Sequence, residues 1–249
     1  MPSRRYKLTV AYDGSAYSGF QMQDNGPSIQ GAIEEALQYV AHSPVKAYGS
    51  GRTDAGVHAK GQVVHCDIDK PIPPANLVRA MNARLPEDIR IMSARIVPDC
   101  FDARKTACGK EYRYFVYEGE IMPPVLRPFN AWSRKKLDLY AMRDAARRFE
   151  GRHDFVSFAA NPNREIYTTV RTIYKFTVSK KNSIFTFSVS GEGFLYKQVR
   201  SMVGFLLRVG IGAEKPQAVT ELLDRAAPRE ARVPTATGRG LFLWRVWYK

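Results

Sequence analysis

One segment restricts the possible folds more than any other: residues 48–60, which contain Gly49, Gly51 and Gly56. It runs directly into residues 62–68, where apolar and polar side chains alternate as in a β-strand. Because glycine lets the backbone turn sharply and lets a ligand approach closely, the segment is predicted to be a tight loop held against a sheet. Within it Asp54, two residues after Arg52, is a candidate reactive carboxylate.

Asp54 has simpler interpretations as well. Aspartate is common in turns because its carboxylate accepts hydrogen bonds from nearby backbone groups, so the residue could serve only to stabilise the loop. A phosphate-binding glycine loop is less suitable, because a G-x-G-x-x-G pattern that starts at Gly49 puts Asp54 in the place of the third glycine, where its charge would repel a phosphate. The rest of the chain has to decide between a structural and a catalytic aspartate.

The net charge predicts the class of partner. The 249 residues include 38 Lys and Arg against 24 Asp and Glu, a formal charge of +14. Such an excess favours a polyanion, either nucleic acid or an acidic membrane. No apolar run approaches the roughly 18 residues of a membrane-spanning helix, and no signal-peptide pattern opens the sequence, so nucleic acid is the predicted partner and no membrane is expected.

Cysteine and histidine spacing argues against disulfides and metal sites. Cys66, Cys100 and Cys108 form no C-x-x-C pair, and the four histidines show no H-x-x-x-H spacing. We therefore expect a cytoplasmic protein, no metal ligands, and a reaction that uses no metal.

Periodicity predicts two α+β units of related order. In the first, strands alternate with helices over residues 5–12, 28–42, 47–50, 61–68, 75–84 and 89–97. In the second, a strand at 110–117, a helix at 138–150, a hairpin at 168–179 and 183–190, helices at 194–209 and 216–224 and a closing strand at 241–248 are expected. The predicted domains are residues 1–104, which carry the loop, and residues 105–249.

Two groups of basic residues lie on predicted helices. Arg143 and Arg147 are four residues apart and share an outer face close to Lys136, which indicates either a face that follows phosphates or an ordinary solvated surface. Lys197 and Arg200 lie near a helix start, where the helix dipole disfavours cations. A ligand phosphate, a buried carboxylate or a side chain that reaches solvent would each explain them.

Several stretches, in this order, make the sequence resemble the tRNA pseudouridine synthase A family from end to end. They read Y-D-G at 12–14 with G-F-Q at 19–21, G-R-T-D-A-G-V-H-A at 51–59, K-E-Y-R-Y at 110–114 and G-L-F-L at 240–243. The second stretch is highly specific. The sequence departs from the family at Phe20, where tryptophan is frequent, and at residues 196–198, where histidine or methionine is frequent.

The resemblance implies a fold and an activity. The fold would be α+β: two related units forming one extended mixed, mainly antiparallel sheet, with helices packed on it and a central basic cleft. The activity would be isomerisation of uridine to pseudouridine in tRNA without a cofactor, at about positions 38 to 40 of the anticodon stem-loop, where unstacking of a base is easier. The resemblance also implies a homodimer that holds each tRNA across both subunits.

Roles for five residues follow from the resemblance and its chemistry. Asp54 would be the catalytic anion, and attack at C1′, attack at C6 and proton removal on a glycal route all stay open. An arginine nearby favours its ionised form, either Arg52 or Arg200. Arg52 would also fill the space left by the flipped base or hold a flanking phosphate. Tyr112 would lie against the uracil and help move the C5 proton, although a tyrosine on a strand is more often core, and Leu241 would close the pocket.

Two other functions are compatible with parts of the sequence. A structured-RNA binding module or chaperone would have the same positive charge and no catalysis. A nuclease with a single carboxylate is a weaker alternative, because such enzymes usually need a metal held by several carboxylates and the sequence shows no such cluster.

Overall fold

The computed structural model describes residues 3–24, 26–160 and 168–249, and the chain divides into two compact units. Unit 1 comprises Met1–Cys108 together with Phe242–Lys249, and unit 2 comprises Gly109–Leu241. Both ends of the chain therefore contribute to unit 1. The division into domains 1–104 and 105–249 stays a prediction.

Unit 1 is built on a mixed sheet. Strand β1 (Arg4–Tyr12) lies between β3 (His58–Ile68) and β4 (Ile89–Val97) and pairs antiparallel with both. The short strand β2 (Tyr48–Gly49) also pairs antiparallel with β3, and β10 (Leu241–Tyr248) begins a parallel pair with β3 at Phe242. The loop with Asp54 connects β2 to β3, so strands support it at both ends.

Two helices cover the apolar face of this sheet. Helix α1 (Ile29–Ala41) begins where the Ser28 hydroxyl accepts the Gly31 N–H, and it ends at His42 in a left-handed conformation with φ 57°. Helix α2 (Pro74–Asn82) starts with a proline, whose fixed φ suits the first turn. The buried side chains are those that the periodicity aligned, as at Tyr6, Leu8, Val10, Tyr12, Ile33, Leu37, Leu77 and Met81.

The strands within unit 2 pair mainly antiparallel. Strands β5 (Ala107–Glu118), β9 (Ile184–Gly191), β8 (Val170–Lys181) and β7 (Gly151–Asp154) pair antiparallel in this spatial order. The short strand β6 (Ala131–Ser133) pairs parallel with the end of β5. The β8–β9 hairpin turns through Asn182, whose φ of 52° suits a tight two-residue loop.

The described part of unit 2 contains the α-helices α3 (Leu139–Arg147), α4 (Gln198–Gly210) and α5 (Ala218–Arg225). Asp138 caps α3, because its carboxylate accepts the Tyr140 and Ala141 N–H groups. Aromatic rings fill the core, with Phe149 edge-on to Phe158 at 4.8 Å between centroids.

Several predicted boundaries were wrong for local reasons. Helix α4 begins at Gln198 instead of Phe194, because Lys197 is left-handed with φ 58° and the Gln198 side chain accepts the Leu195 N–H in the turn before it. Helix α3 ends three residues early, where i→i−3 bonds from Phe149 and Glu150 tighten the last turn. The short strands β6 and β7 were not predicted at all, since three or four residues carry too little alternation.

The α+β class, the mixed and mainly antiparallel pairing and the packed helices are confirmed. Within the described ranges no helix has the length and apolar character needed to cross a membrane.

Candidate active site

Asp54 opens a tight turn. The Val57 N–H donates to the Asp54 carbonyl at 3.1 Å, and Gly56, the third residue of the turn, has φ +69°. A positive φ at this position favours glycine, so the turn itself explains Gly56. The Asp54 side chain is half-buried, and Arg52 is exposed on the same loop.

The residue before Asp54 is fixed by two others from the start of the chain. Buried Thr53 shares a hydrogen bond with the Tyr12 hydroxyl, with 2.9 Å between the oxygens, and its carbonyl accepts the Phe20 N–H at 3.0 Å. Burial raises the pKa of Tyr12 to about 12, so its hydroxyl keeps its proton at neutral pH. The Asp54 backbone is therefore held from the end of β1 and from the loop that follows.

Two glycines allow this close approach. A Cβ on Gly14 would lie 2.0 Å from the Val57 carbonyl oxygen, and one on Gly19 would lie 2.6 Å from that of Thr53. Gly19 also has φ +114°, a conformation that L residues rarely adopt. The Y-D-G and G-F-Q stretches are thus the parts of the chain that pack against the Asp54 turn.

The buried side-chain amide of Gln62 supports the loop that carries Asp54. The Ser50 hydroxyl donates to Oε1 of Gln62 at 2.7 Å, and Nε2 of Gln62 donates to the Gly51 carbonyl at 2.9 Å. Both side chains are fully buried, so these bonds satisfy groups that water cannot reach. Gln62 therefore ties β3 to the first residues of the loop.

His58 closes the loop at its other end. Its ring is fully buried, with Nδ1 at 3.1 Å from the Gly14 nitrogen and 3.0 Å from Oδ1 of Asp13. The imidazole also stacks on Phe242 at 4.6 Å between centroids. The start of β3 is thereby joined to the end of β1 and to β10.

Tyr112 and Leu241 belong to unit 2. Tyr112 lies on β5 opposite Val189, is buried, and makes an edge-to-face contact with Phe194 at 5.2 Å. Leu241 is buried and follows Gly240, where a Cβ would lie 2.7 Å from the Phe115 carbonyl oxygen and 2.8 Å from the Tyr114 ring. The backbone before Leu241 is thus packed tightly against β5.

Arg200 fixes the segment that precedes Leu241. Its Nε–H donates to the Ala236 carbonyl at 2.7 Å, and its own carbonyl accepts the Ala236 N–H at 3.0 Å. In the next turn of α4, a Cβ on Gly204 would lie 2.1 Å from the Pro234 carbonyl oxygen. The sequence suggested a ligand phosphate, a buried carboxylate or solvent as the partner of this arginine. A backbone carbonyl is one partner that was not among these predictions.

The Arg143 side chain also binds a backbone carbonyl. It is half-buried and its Nε–H donates to the Val178 carbonyl at 2.8 Å, whereas Arg147 on the same helix is exposed. Arg143 therefore connects α3 to β8, which neither interpretation of the helix face anticipated.

The structure brings two of the five candidate residues onto one loop. Arg52 and Asp54 share the loop in unit 1, while Tyr112, Arg200 and Leu241 lie in unit 2. Sequence reasoning did not identify the residues that support the loop; their glycines and Tyr12 were visible only as short motifs. The supporting residues are Tyr12, Gly14, Gly19, Ser50, Gln62 and His58.

Comparisons with known proteins cover nearly the whole chain. A family model described as tRNA pseudouridine synthase matches residues 8–104 and 145–249. A protein named tRNA pseudouridine synthase A from Exiguobacterium sp. AT1b is 45% identical over 99% of this chain and 98% of its own length. The protein of that name from Exiguobacterium sibiricum is 43% identical over 98% of this chain and 97% of its own length. The protein of that name from Bacillus subtilis is 42% identical over 98% of this chain and 99% of its own.

Proposed function

Because this chain belongs to the tRNA pseudouridine synthase A family, we propose that it converts uridine to pseudouridine in the anticodon stem-loop of tRNA, with Asp54 as catalytic residue and without a cofactor. Membership of the family gives the coarser part directly: the chain is an isomerase that acts on tRNA. The target positions, the catalytic residue and the other site residues are the proposal.

The reaction needs little beyond one anion. The bond between C1′ and N1 of uracil breaks, the base rotates, and a bond forms between C1′ and C5. N1 gains a proton and C5 loses one, so nothing is oxidised, reduced or hydrolysed. A carboxylate can attack C1′, attack C6 or remove a proton to begin a glycal route, and the proposal holds for each of the three.

The observation that carries the proposal is the support of the Asp54 turn. Tyr12 and Phe20 fix Thr53, and Gln62 fixes Gly51, so buried bonds hold the backbone on the amino-terminal side of Asp54. A catalytic group gains most when it is already placed at the reacting atom, because reorganisation then costs little during the reaction. A turn-stabilising aspartate would not need such support from three other segments.

Arg52 is the proposed partner of the flipped nucleotide. Removing a base from its stack costs on the order of a few kcal/mol. The exposed Arg52, two residues before Asp54, has the length and charge either to occupy the vacated space or to hold the flanking phosphate.

Tyr112, Leu241 and Arg200 are proposed to complete the site. Tyr112 would contact the uracil and help move the C5 proton, and its contact with Phe194 fixes the ring, as a core role would also require. Leu241 would close the pocket. Arg200 would contribute a positive charge to substrate binding and also holds the backbone ahead of Leu241 through Ala236.

Release of tritium tests the assignment of Asp54. A tRNA transcript labelled at uridine C5 should lose label to water with the wild-type protein. Asp54→Ala should stop the release while tRNA binding is retained, and Asp69→Ala, which removes an exposed carboxylate from another loop of unit 1, should release label normally. Release at the wild-type rate by Asp54→Ala would show that another group is the catalyst.

The same reaction separates the alternative functions. A binding module would release no label from any transcript, and a nuclease would shorten the RNA on a denaturing gel. Transcripts with uridine replaced by cytidine at single positions from 38 to 40 test the proposed targets, which the resemblance places at about these positions.

We also propose a cytoplasmic homodimer, as the resemblance implies. Sedimentation of the full chain with and without tRNA measures its subunit number, and a protein that stays monomeric in both states while active would contradict this part of the proposal.

A further inference from the structure

Unit 2 contains a hollow of about 560 Å³ that no function above explains. Trp132, Arg127 and Arg239 line it together with Thr237 and apolar side chains such as Ile121 and Met122. A volume of this size falls in the range of small-molecule sites.

The Trp132 side chain is partly exposed where it lines this hollow. The side chain is 42% exposed, although its indole N–H already donates to the Gly119 carbonyl at 2.8 Å. The guanidinium carbon of Arg134 lies 4.5 Å from the ring centroid. Trp132 also lines a second hollow of about 350 Å³, which contains Arg134. The hydrogen bond fixes the orientation of the ring, so a flat ligand can stack on the ring face that Arg134 does not cover without breaking this bond.

The surroundings of the indole are positively charged. Arg127 and Arg239 line the first hollow, and Arg134, Lys135 and Arg208 line the second. Over the ranges that the structure describes, neither lining includes an aspartate or glutamate.

Three glutamates close in sequence or in contact with lining residues are engaged or exposed. Glu118 accepts hydrogen bonds from Lys180 and from the Leu137 N–H. Glu214 binds Arg232 and lies 3.6 Å from Arg208, and Glu120 is exposed in the turn before Ile121. A ligand here would meet an aromatic face and guanidinium groups together.

We propose that this hollow binds one unpaired nucleotide of the RNA substrate, with its base stacked on Trp132 and its phosphate held by Arg127 and Arg239. Aromatic faces take bases of any sequence because every base has a π-face. Guanidinium groups match phosphate through two parallel hydrogen bonds. The inference rests on the proposed function for the identity of the ligand as RNA.

One segment of unit 2 links this hollow to Leu241. Thr237 and Arg239 line the hollow, and the same segment continues to Leu241, the residue proposed to close that pocket. The Tyr114 hydroxyl donates to the Thr237 carbonyl at 2.8 Å, which fixes this segment to the strand that carries Tyr112. We therefore expect the bound nucleotide to lie close to Leu241 and to contribute to the choice of uridine.

A second copy of the chain is a less suitable occupant. Ile121 and Val125 are 78% and 80% exposed beside the hollow, which by itself would suit a protein contact. In a twofold contact centred on this hollow, however, the patch would meet its own copy. Arg127 and Arg239 would then approach the same charges on the partner, and this repulsion favours a polyanion.

The test measures binding of an unmodified tRNA transcript to the full-length protein at several salt concentrations. Trp132→Leu should weaken Kd at least about 5-fold, and Trp132→Phe, which keeps an aromatic face, should recover most of the loss. Arg127→Gln should lower the slope of log K against log salt by about 0.7 to 0.9, the value for one phosphate contact.

Two matched controls accompany these variants. Tyr140→Leu removes an exposed aromatic ring from α3, and Lys181→Gln removes a positive charge from the β8–β9 hairpin; both should bind tRNA nearly as the wild type does. Irradiation of tRNA that contains 4-thiouridine should cross-link to the peptide with Trp132. If Trp132→Leu does not fold, Arg127→Gln and the cross-link decide the question.

Three results would overturn the inference. The first is that Trp132→Leu and Arg127→Gln bind tRNA as tightly as the control variants do. The second is the absence of a cross-link to the peptide with Trp132, and the third is a loss of binding that sedimentation traces to a lost subunit contact. Tritium release by the wild type is scored separately. The binding results can therefore contradict the nucleotide site without contradicting the proposed synthase activity. If the wild-type protein releases no label, the synthase activity is contradicted, whatever the binding of the Trp132 variants shows.

Discussion

At the level of single residues, the proposed catalytic carboxylate depends on atoms outside its own loop. Thr53 is bonded through its hydroxyl to Tyr12 and through its carbonyl to Phe20, and Gly14 leaves room for the Val57 carbonyl at the end of the turn. These residues are candidates for mutations that reduce activity without touching a reacting group. The first prediction concerns such a residue.

The first prediction is that Gly14→Ala removes most of the activity. Its Cβ would lie 2.0 Å from the Val57 carbonyl oxygen, a backbone atom that cannot move without the Asp54 turn. We expect tritium release to fall at least about 100-fold, since misplacement by 1 Å can cost that much. Gly193→Ala is the control, because its Cβ meets nothing within 4 Å. Equal activity of the two variants would contradict the prediction.

The second prediction concerns pH and His65. Burial lowers the pKa of His65 below its ordinary 6.5, and Nδ1 accepts the Ala103 N–H at 3.1 Å. The native state then binds fewer protons than the unfolded state, so stability should be fully present above about pH 6.5 and should decline as pH falls from there toward the lowered native pKa.

Chemical denaturation at pH 8, 6.5 and 5 measures this effect. His65→Gln should flatten the decline between pH 6.5 and 5, whereas His42→Asn at the exposed end of α1 should follow the wild type. The hydrogen bond from Arg5 lowers the pKa of Asp67, so the stability that Asp67 contributes is lost at a lower pH than this window. A wild-type slope that persists in His65→Gln would assign the titration to another group.

At the level of elements, the sequence predicted regular segments better than the contacts between them. The bounds of β4 and β10 were correct, and α1 began at its Ser28 cap, because each has a clear period or a local signal. The predicted start of α4 was wrong, because Lys197 takes a left-handed conformation that no local sequence pattern predicts.

The same division applies to the candidate site. Asp54 and Arg52 were located on a tight loop from glycine positions alone. The bond from Tyr12 to Thr53 and the amide of Gln62 could not be predicted, because each depends on contacts between residues distant in sequence. The roles of Tyr112, Arg200 and Leu241 stay predictions.

The third prediction concerns the contact of α4 with the segment before Leu241. A Cβ on Gly204 would lie 2.1 Å from the Pro234 carbonyl oxygen, so Gly204→Ala must push that segment away. We expect a loss of about 1 to 3 kcal/mol in unfolding free energy, typical of overpacking, together with slower tritium release because Leu241 shifts.

Gly210→Ala provides a comparison in the same helix. Its Cβ would lie 2.7 Å from Sδ of Met142, a flexible side chain that can move aside. Thermal unfolding and activity should therefore change less than for Gly204→Ala. The reverse order would mean that the 234–240 segment adapts easily and does not control Leu241.

At the level of the whole molecule, the chain leaves unit 1 after Cys108 and returns to it at Phe242. The returning strand pairs with the first residues of β3, and the Tyr248 hydroxyl donates to the Ala103 carbonyl at 2.7 Å. Nζ of Lys7 lies 4.1 Å from the Tyr248 ring centroid. The carboxyl end is thus built into the sheet that supports Asp54, although the two are far apart in sequence.

The last prediction is that deletion of residues 242–249 disrupts unit 1 before unit 2. The deletion removes Phe242 from the His58 ring and leaves the edge of β3 without its parallel partner, so the loop that ends at His58 loses support. Amide exchange should then accelerate in β1 and in residues 48–60, while β9 stays protected, and tritium release should be lost. Deletion of Lys249 alone, which is exposed, should change none of these. If residues 242–249 belong instead to a domain of residues 105–249, as the sequence predicted, the deletion should loosen β9 first. The order in which β1 and β9 lose protection therefore decides between the two divisions of the chain.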